Sequence, residues 1–168
     1  MNGDEILVRR IISEINAELS NVLRLRDEYN EFISKYKTVD KYLLRVKASY
    51  LADFYMGIER IFQIIATEID GGIPQGEEWH KRLLLNMTIE IEGVRPPVIS
   101  AGLYNNLRLF LGFRHVVRQA YGFQLDESKL EELVSSFEDT VRNFSSETIN
   151  FCDILLMMSK DPRDNQSG

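Results

Sequence analysis

Cysteine is nearly absent: Cys152 is the only one in 168 residues. No disulfide can form within the chain, which fits a reducing compartment. Long hydrophobic runs are missing too. The longest plain apolar stretch, ILLMM at 154–158, falls far short of the ~20 residues a membrane helix requires. The opening MNGDEILVRR is acidic before it is apolar, so no secretory leader is expected there. Basic charge is in deficit, with 20 Lys and Arg against 26 Asp and Glu, a net charge of −6 and a pI near 5.0. That excludes a uniformly basic nucleic-acid coat and leaves room for a local basic patch. What is present is apolar substance: 44% hydrophobic residues suffice for a core and exclude wholesale disorder. The expectation is a cytoplasmic protein with one domain over 1–161 and a polar tail over 162–168, with no membrane association.

Helical periodicity dominates. Leu130, Val134, Phe137, Val141, Phe144, Phe151, Leu155 and Met158 form one stripe at steps of three, four or seven, with Thr148 in the remaining slot. Asp126 can cap this helix, which should stop before Pro162. Ile11, Ile15, Leu19, Val22 or Leu23, Tyr29, Phe32 and Tyr36 mark a helix over about 4–37. Leu43, Val46, Tyr50, Phe54, Ile58, Ile61, Ile64 and Ile65 mark another over about 40–69. GGIPQG at 71–76 breaks the chain; it lacks the Lys and Ser/Thr of a phosphate-binding loop and reads as a turn. A short helix over about 77–87 and a fourth main helix over about 100–121 complete the pattern, and only the brief TIEIEG alternates as a strand does. The fold class is all-α: an antiparallel bundle of four main helices plus a short one.

Charge is uneven along the chain. Residues 93–125 contain no Asp or Glu but hold Arg95, Arg108, Arg114, His115 and Arg118. On the fourth main helix the inward stripe of Leu103, Leu107, Phe110 and Leu111, continued at the same spacing, reaches Arg114, Arg118 and Tyr121. Arginine is rarely buried unpaired. Either acids of a neighbouring helix neutralise these side chains, or this end of the helix faces a cleft, a partner or a ligand. Other candidates read as structure. Trp79–His80 suits packing at a helix start, and Asp53, Glu59 and Glu68 make no metal set with two histidines. Cys152 reads as an inert buried thiol.

FRHVVRQAYGFQL, residues 113–125, resembles the HEPN superfamily and its HepT-like ribonuclease branch. That branch carries Arg, a polar residue, three variable positions, His, one more residue and Tyr on one helix. Arg114, His115 and Tyr121 fill three of these places, and Gln119 stands at the His position. WHKRLL at 79–84 and RPPVIS at 95–100 resemble flanking features of the same branch. The resemblance implies a toxin of a bacterial toxin–antitoxin pair: a homodimer whose motif helices meet and cleave RNA without a metal or other cofactor. It implies as partner a minimal nucleotidyltransferase antitoxin, which in some members attaches AMP to the motif tyrosine, here Tyr121.

The residue types suit that chemistry. RNA brings its own nucleophile in the 2′-hydroxyl, so a base and a cation near the phosphate suffice. By the resemblance, Arg114 would stabilise phosphate charge, position 119 would carry the base, His115 would assist, and Arg118 and Arg108 would bind RNA. A carboxamide does not titrate in the useful range. Gln119 therefore implies an impaired nuclease, whether native or engineered, or a non-catalytic module that binds RNA or a protein partner.

Overall fold

The structure, a computed structural model, describes residues 3–119, 121 and 124–160. The tail expected over 162–168 lies outside the described residues. Among the described residues five helices follow one another: α1 (Gly3–Lys35), α2 (Lys41–Glu68), α3 (Trp79–Asn86), α4 (Ala101–Gln119) and α5 (Glu127–Met158). Two starts are capped by aspartates, the one before α5 as its sequence predicts. Asp40 accepts from the amides of Tyr42 and Leu43, and Asp126 from those of Ser128 and Lys129. These bonds satisfy amides that have no partner within the helix.

α2 is the central element, packed against each of the other four helices. Its buried face is accordingly broader than one stripe and takes in paired positions: Phe54 with Tyr55, Ile58 with Glu59, Ile61 with Phe62, Ile65 with Ala66. α1 lies close against it, for a Cβ on Gly57 would sit 2.8 Å from Val22 Cγ2. An ion pair of 2.6 Å joins Arg10 near the start of α1 to Glu68 at the end of α2, so the two helices run antiparallel. Ser100, just before α4, donates to Glu147 in the second half of α5, and this pair is antiparallel too. Edge-to-face rings join the layers: Tyr29 and Phe54 both meet Phe137, Phe54 meets Phe110, and Phe62 meets Phe144. Such pairs contribute about 0.5–1.5 kcal/mol each beyond simple burial.

The α5 stripe is buried from Leu130 to Leu155 except at half-buried Val134, and Met158 at the end of the helix is 39% exposed. TIEIEG forms no strand; among the described residues it makes a single isolated bridge, between Ile91 and Arg95. The glycine turn needs its glycines, because Gly71, Gly72 and Gly76 all have positive φ.

Arg95 departs from its expected place in a cationic strip. It is 1% exposed and inside the fold. Its Nε and Nη2 donate to the two oxygens of Asp70 at 2.6 and 2.7 Å, and it also donates to the carbonyls of Ile89, Pro96 and Asn86. This fork fastens the α3–α4 connection to the end of α2 and thereby sets the entry of α4. α3 packs on both α2 and α4, at the site described next.

Candidate active site

Three elements bring four chemical side chains together. Glu59 projects from the middle of α2 and is 4% exposed. His80 opens α3, stacked on Trp79 with ring centroids 3.6 Å apart. Arg114 and His115 come from the last turns of α4. The imidazole Nδ1 of His80 lies 2.6 Å from Glu59 Oε2. Arg114 Nη1 donates to Glu59 Oε1 and Oε2 at 3.1 and 3.3 Å. The same Nη1 lies 3.5 Å from His80 Nδ1. A guanidinium has only donors, and the shorter contact makes Nδ1 a donor to the carboxylate, so this longer approach is proximity and not a bond. His80 therefore commits its Nδ1 edge to Glu59 and leaves Nε2 for chemistry.

His115 completes the cluster, its ring edge-on to His80 with centroids 5.5 Å apart. Both histidines of the chain are thus in this one place. Partial burial first, then His80, Arg114 and Lys81, hold the His115 imidazole below its ordinary pKa, against a weaker pull from Glu59. Fully buried Tyr55 lies beside the cluster, its phenol pushed well up by desolvation and then by Glu59.

The sequence motif divides between two environments. Arg114 is buried and neutralised by an acid of its own chain. Arg118, Gln119 and Arg108 are exposed, and Tyr121 is 70% exposed. The apolar seam does not continue to Arg118: Phe113 and Val117 pack against the core in the last turns. A guanidinium with no buried acid opposite it stays in water. Between α3 and α4 lies a cleft of about 350 Å³ with Lys81, Arg108, His115 and Tyr104 around a floor that includes Leu84 and Leu111. Leu109 and Gly112 also line this cleft, and Leu109 and Val116, each 47% exposed, flank Gly112 on the outer face of α4.

Sequence reasoning missed Glu59 and His80 as members of the site. The signal for Glu59 was present: Tyr55, Glu59, Phe62 and Ala66 share one face of α2, an acid set in an apolar stripe. Among the described residues no three His, Cys, Asp or Glu groups are arranged to hold a metal ion, and no helix is long and apolar enough to cross a membrane.

The described residues form an all-helical bundle with an Arg-bearing motif at the end of its fourth helix, an architecture consistent with a HEPN-like bundle. A family model described as HepT-like protein matches residues 46–155, and the chain belongs to that family. No curated protein and no solved structure matches it.

Proposed function

We propose that the protein is an RNA-cleaving toxin of a toxin–antitoxin pair, acting as a homodimer and impaired by Gln119 at the position where the motif has histidine. The observation that carries this reading is membership of the HepT-like family, together with a motif arginine held beside two histidines in one cluster. Arg114 contacts its carboxylate and His80 through Nη1, which among the described residues leaves its other guanidinium nitrogens to meet a phosphate. Arg118 and Arg108 lie on the surface, where an RNA backbone can reach them. Two copies meeting along the outer face of α4 would cover Leu109 and Val116 and bring both motifs to one groove. Tyr121 is the proposed acceptor of AMP from a nucleotidyltransferase antitoxin; its exposure gives an enzyme access to the phenol. An added phosphate and nucleoside there would repel RNA and fill its path.

The test is cleavage of single-stranded RNA in chelator by purified protein and its Gln119→His variant. The variant is expected to cleave faster than the native chain by about 10²-fold or more, the usual contribution of a positioned acid or base. Incubation with the cognate antitoxin and ATP should add one adenylate, and Tyr121→Phe should abolish the addition. No cleavage by either protein counts against the nuclease. A specific observation favours the second reading, a non-catalytic HEPN module: Glu59 already neutralises Arg114 within one chain. On that reading the Gln119→His protein binds RNA or its partner and leaves the RNA intact.

A further inference from the structure

We propose that His80, braced by Glu59, and His115 form the acid–base pair for the residual cleavage of RNA by 2′-O-transphosphorylation that the native chain carries out without a histidine at 119. The inference rests on the ribonuclease reading above and adds its acid and base. Position 119 is exposed on the last turn of α4. The imidazole pair lies instead where α3 crosses α4; the two rings are in contact, and His115 lines the Lys81–Arg108 cleft.

Each histidine has a distinct setting. His80 has its Nδ1 edge fixed by a buried carboxylate, and Trp79 stacks on its face. A carboxylate behind an imidazole sets the ring's orientation and leaves its far nitrogen as the edge that can hand over a proton, the role of a general acid. His115 has no carboxylate bonded to it among the described residues, and burial with the neighbouring cations disfavours the added proton. That suits a general base. The charged and titratable groups facing the pair are Glu59 and Tyr55 of α2, Glu78 and Lys81 at the start of α3, and Tyr104, Arg108 and Arg114 of α4. Lys81 is itself paired with Glu78 at 2.7 Å on the surface.

The step balances without another reagent. His115 takes the proton of the 2′-hydroxyl, the 2′-oxygen bonds to phosphorus, and the P–O5′ bond breaks with its electron pair going to oxygen. His80 gives that oxygen a proton from Nε2. The products are a 2′,3′-cyclic phosphate and a free 5′-hydroxyl, and the two histidines have exchanged protonation states. Arg108 and Lys81 line the cleft where the neighbouring phosphates would run.

The experiment measures cleavage of single-stranded RNA from pH 5 to 9 by the native chain, His80→Gln, His115→Gln and Gln119→His, with helicity checked for each. The expected result is a bell-shaped profile for the native chain and a cyclic-phosphate product. Each His→Gln change should cost about 10²-fold or more. His80→Gln should remove the alkaline limb and His115→Gln the acid limb, changes that a purely structural role would not produce. With two histidines in the sequence, the imidazole resonances can be followed singly. His80→Gln should move the His115 titration upward, since His80 is one of the groups holding it down. Native-like profiles in folded His80→Gln overturn the pair and leave the nuclease standing. The pair is equally overturned, and the nuclease kept, if Gln119→His cleaves and the native chain does not. Silence from both overturns the pair and the nuclease together. If His80→Gln does not fold, uridine 3′-phosphate titrated into the native protein replaces it. Shifts of both imidazole resonances support the pair, and anything less overturns it.

Discussion

At the scale of single residues, arginine is the type whose role depends most on its surroundings here. Arg95, Arg108, Arg114 and Arg118 stand in one acid-free segment and are alike in sequence. In the fold two of them are buried against acids and two are in solvent. The partners, Asp70 and Glu59, lie on α2 and just beyond its end, far away along the chain. Arg95 is the tighter case, with no side-chain exposure and both carboxylate oxygens engaged. Removing one member of such a pair strands a charge, and its desolvation is then uncompensated. Asp70→Ala should therefore cost about 3–5 kcal/mol in denaturant unfolding. A loss below about 1 kcal/mol, the scale of a surface pair, would show that Arg95 finds water or another acceptor.

At the scale of elements, helix starts and inner faces were legible because caps and periodicity are local properties. Asp40 and Asp126 cap the helices they precede, and the long α5 stripe is buried at nearly all its predicted positions. Thr148 is the polar exception on that stripe. It is fully buried, and its Oγ1 has no hydrogen-bond partner among the described residues. Valine has nearly the same shape without the hydroxyl, so Thr148→Val should raise stability by about 1 kcal/mol, read as a higher denaturation midpoint. A lowered midpoint would reveal a partner for the hydroxyl. The breadth of the α2 face was not legible. A helix surrounded by four others buries residues that a single stripe assigns to solvent, Tyr55 and Glu59 among them.

At the scale of the whole molecule, the open question is what covers the outer face of α4. Leu109 and Val116 rise on either side of Gly112 in a helix whose opposite side is packed on α2, α3 and α5. For the proposed homodimer this is the meeting face. Sedimentation should show the native chain as a dimer and Val116→Glu as a monomer of unchanged helicity, since a carboxylate buried in an apolar seam is strongly disfavoured. RNA cleavage should fall with the dimer. A native chain that sediments as a monomer at working concentration would remove two-fold pairing from the mechanism.

Local rules therefore specified the five helices, the glycine turn, the Asp126 cap and most of the buried stripe, because each depends on neighbours within a few residues. The motif helix also came from the sequence, with its arginine, adjacent histidine and outlying tyrosine in order. Tertiary structure alone decided which arginines became ion pairs and that both histidines share one cluster. Glu59, His80 and Arg114 meet only after α2, α3 and α4 have packed, and each is bonded to groups that sequence proximity does not reveal.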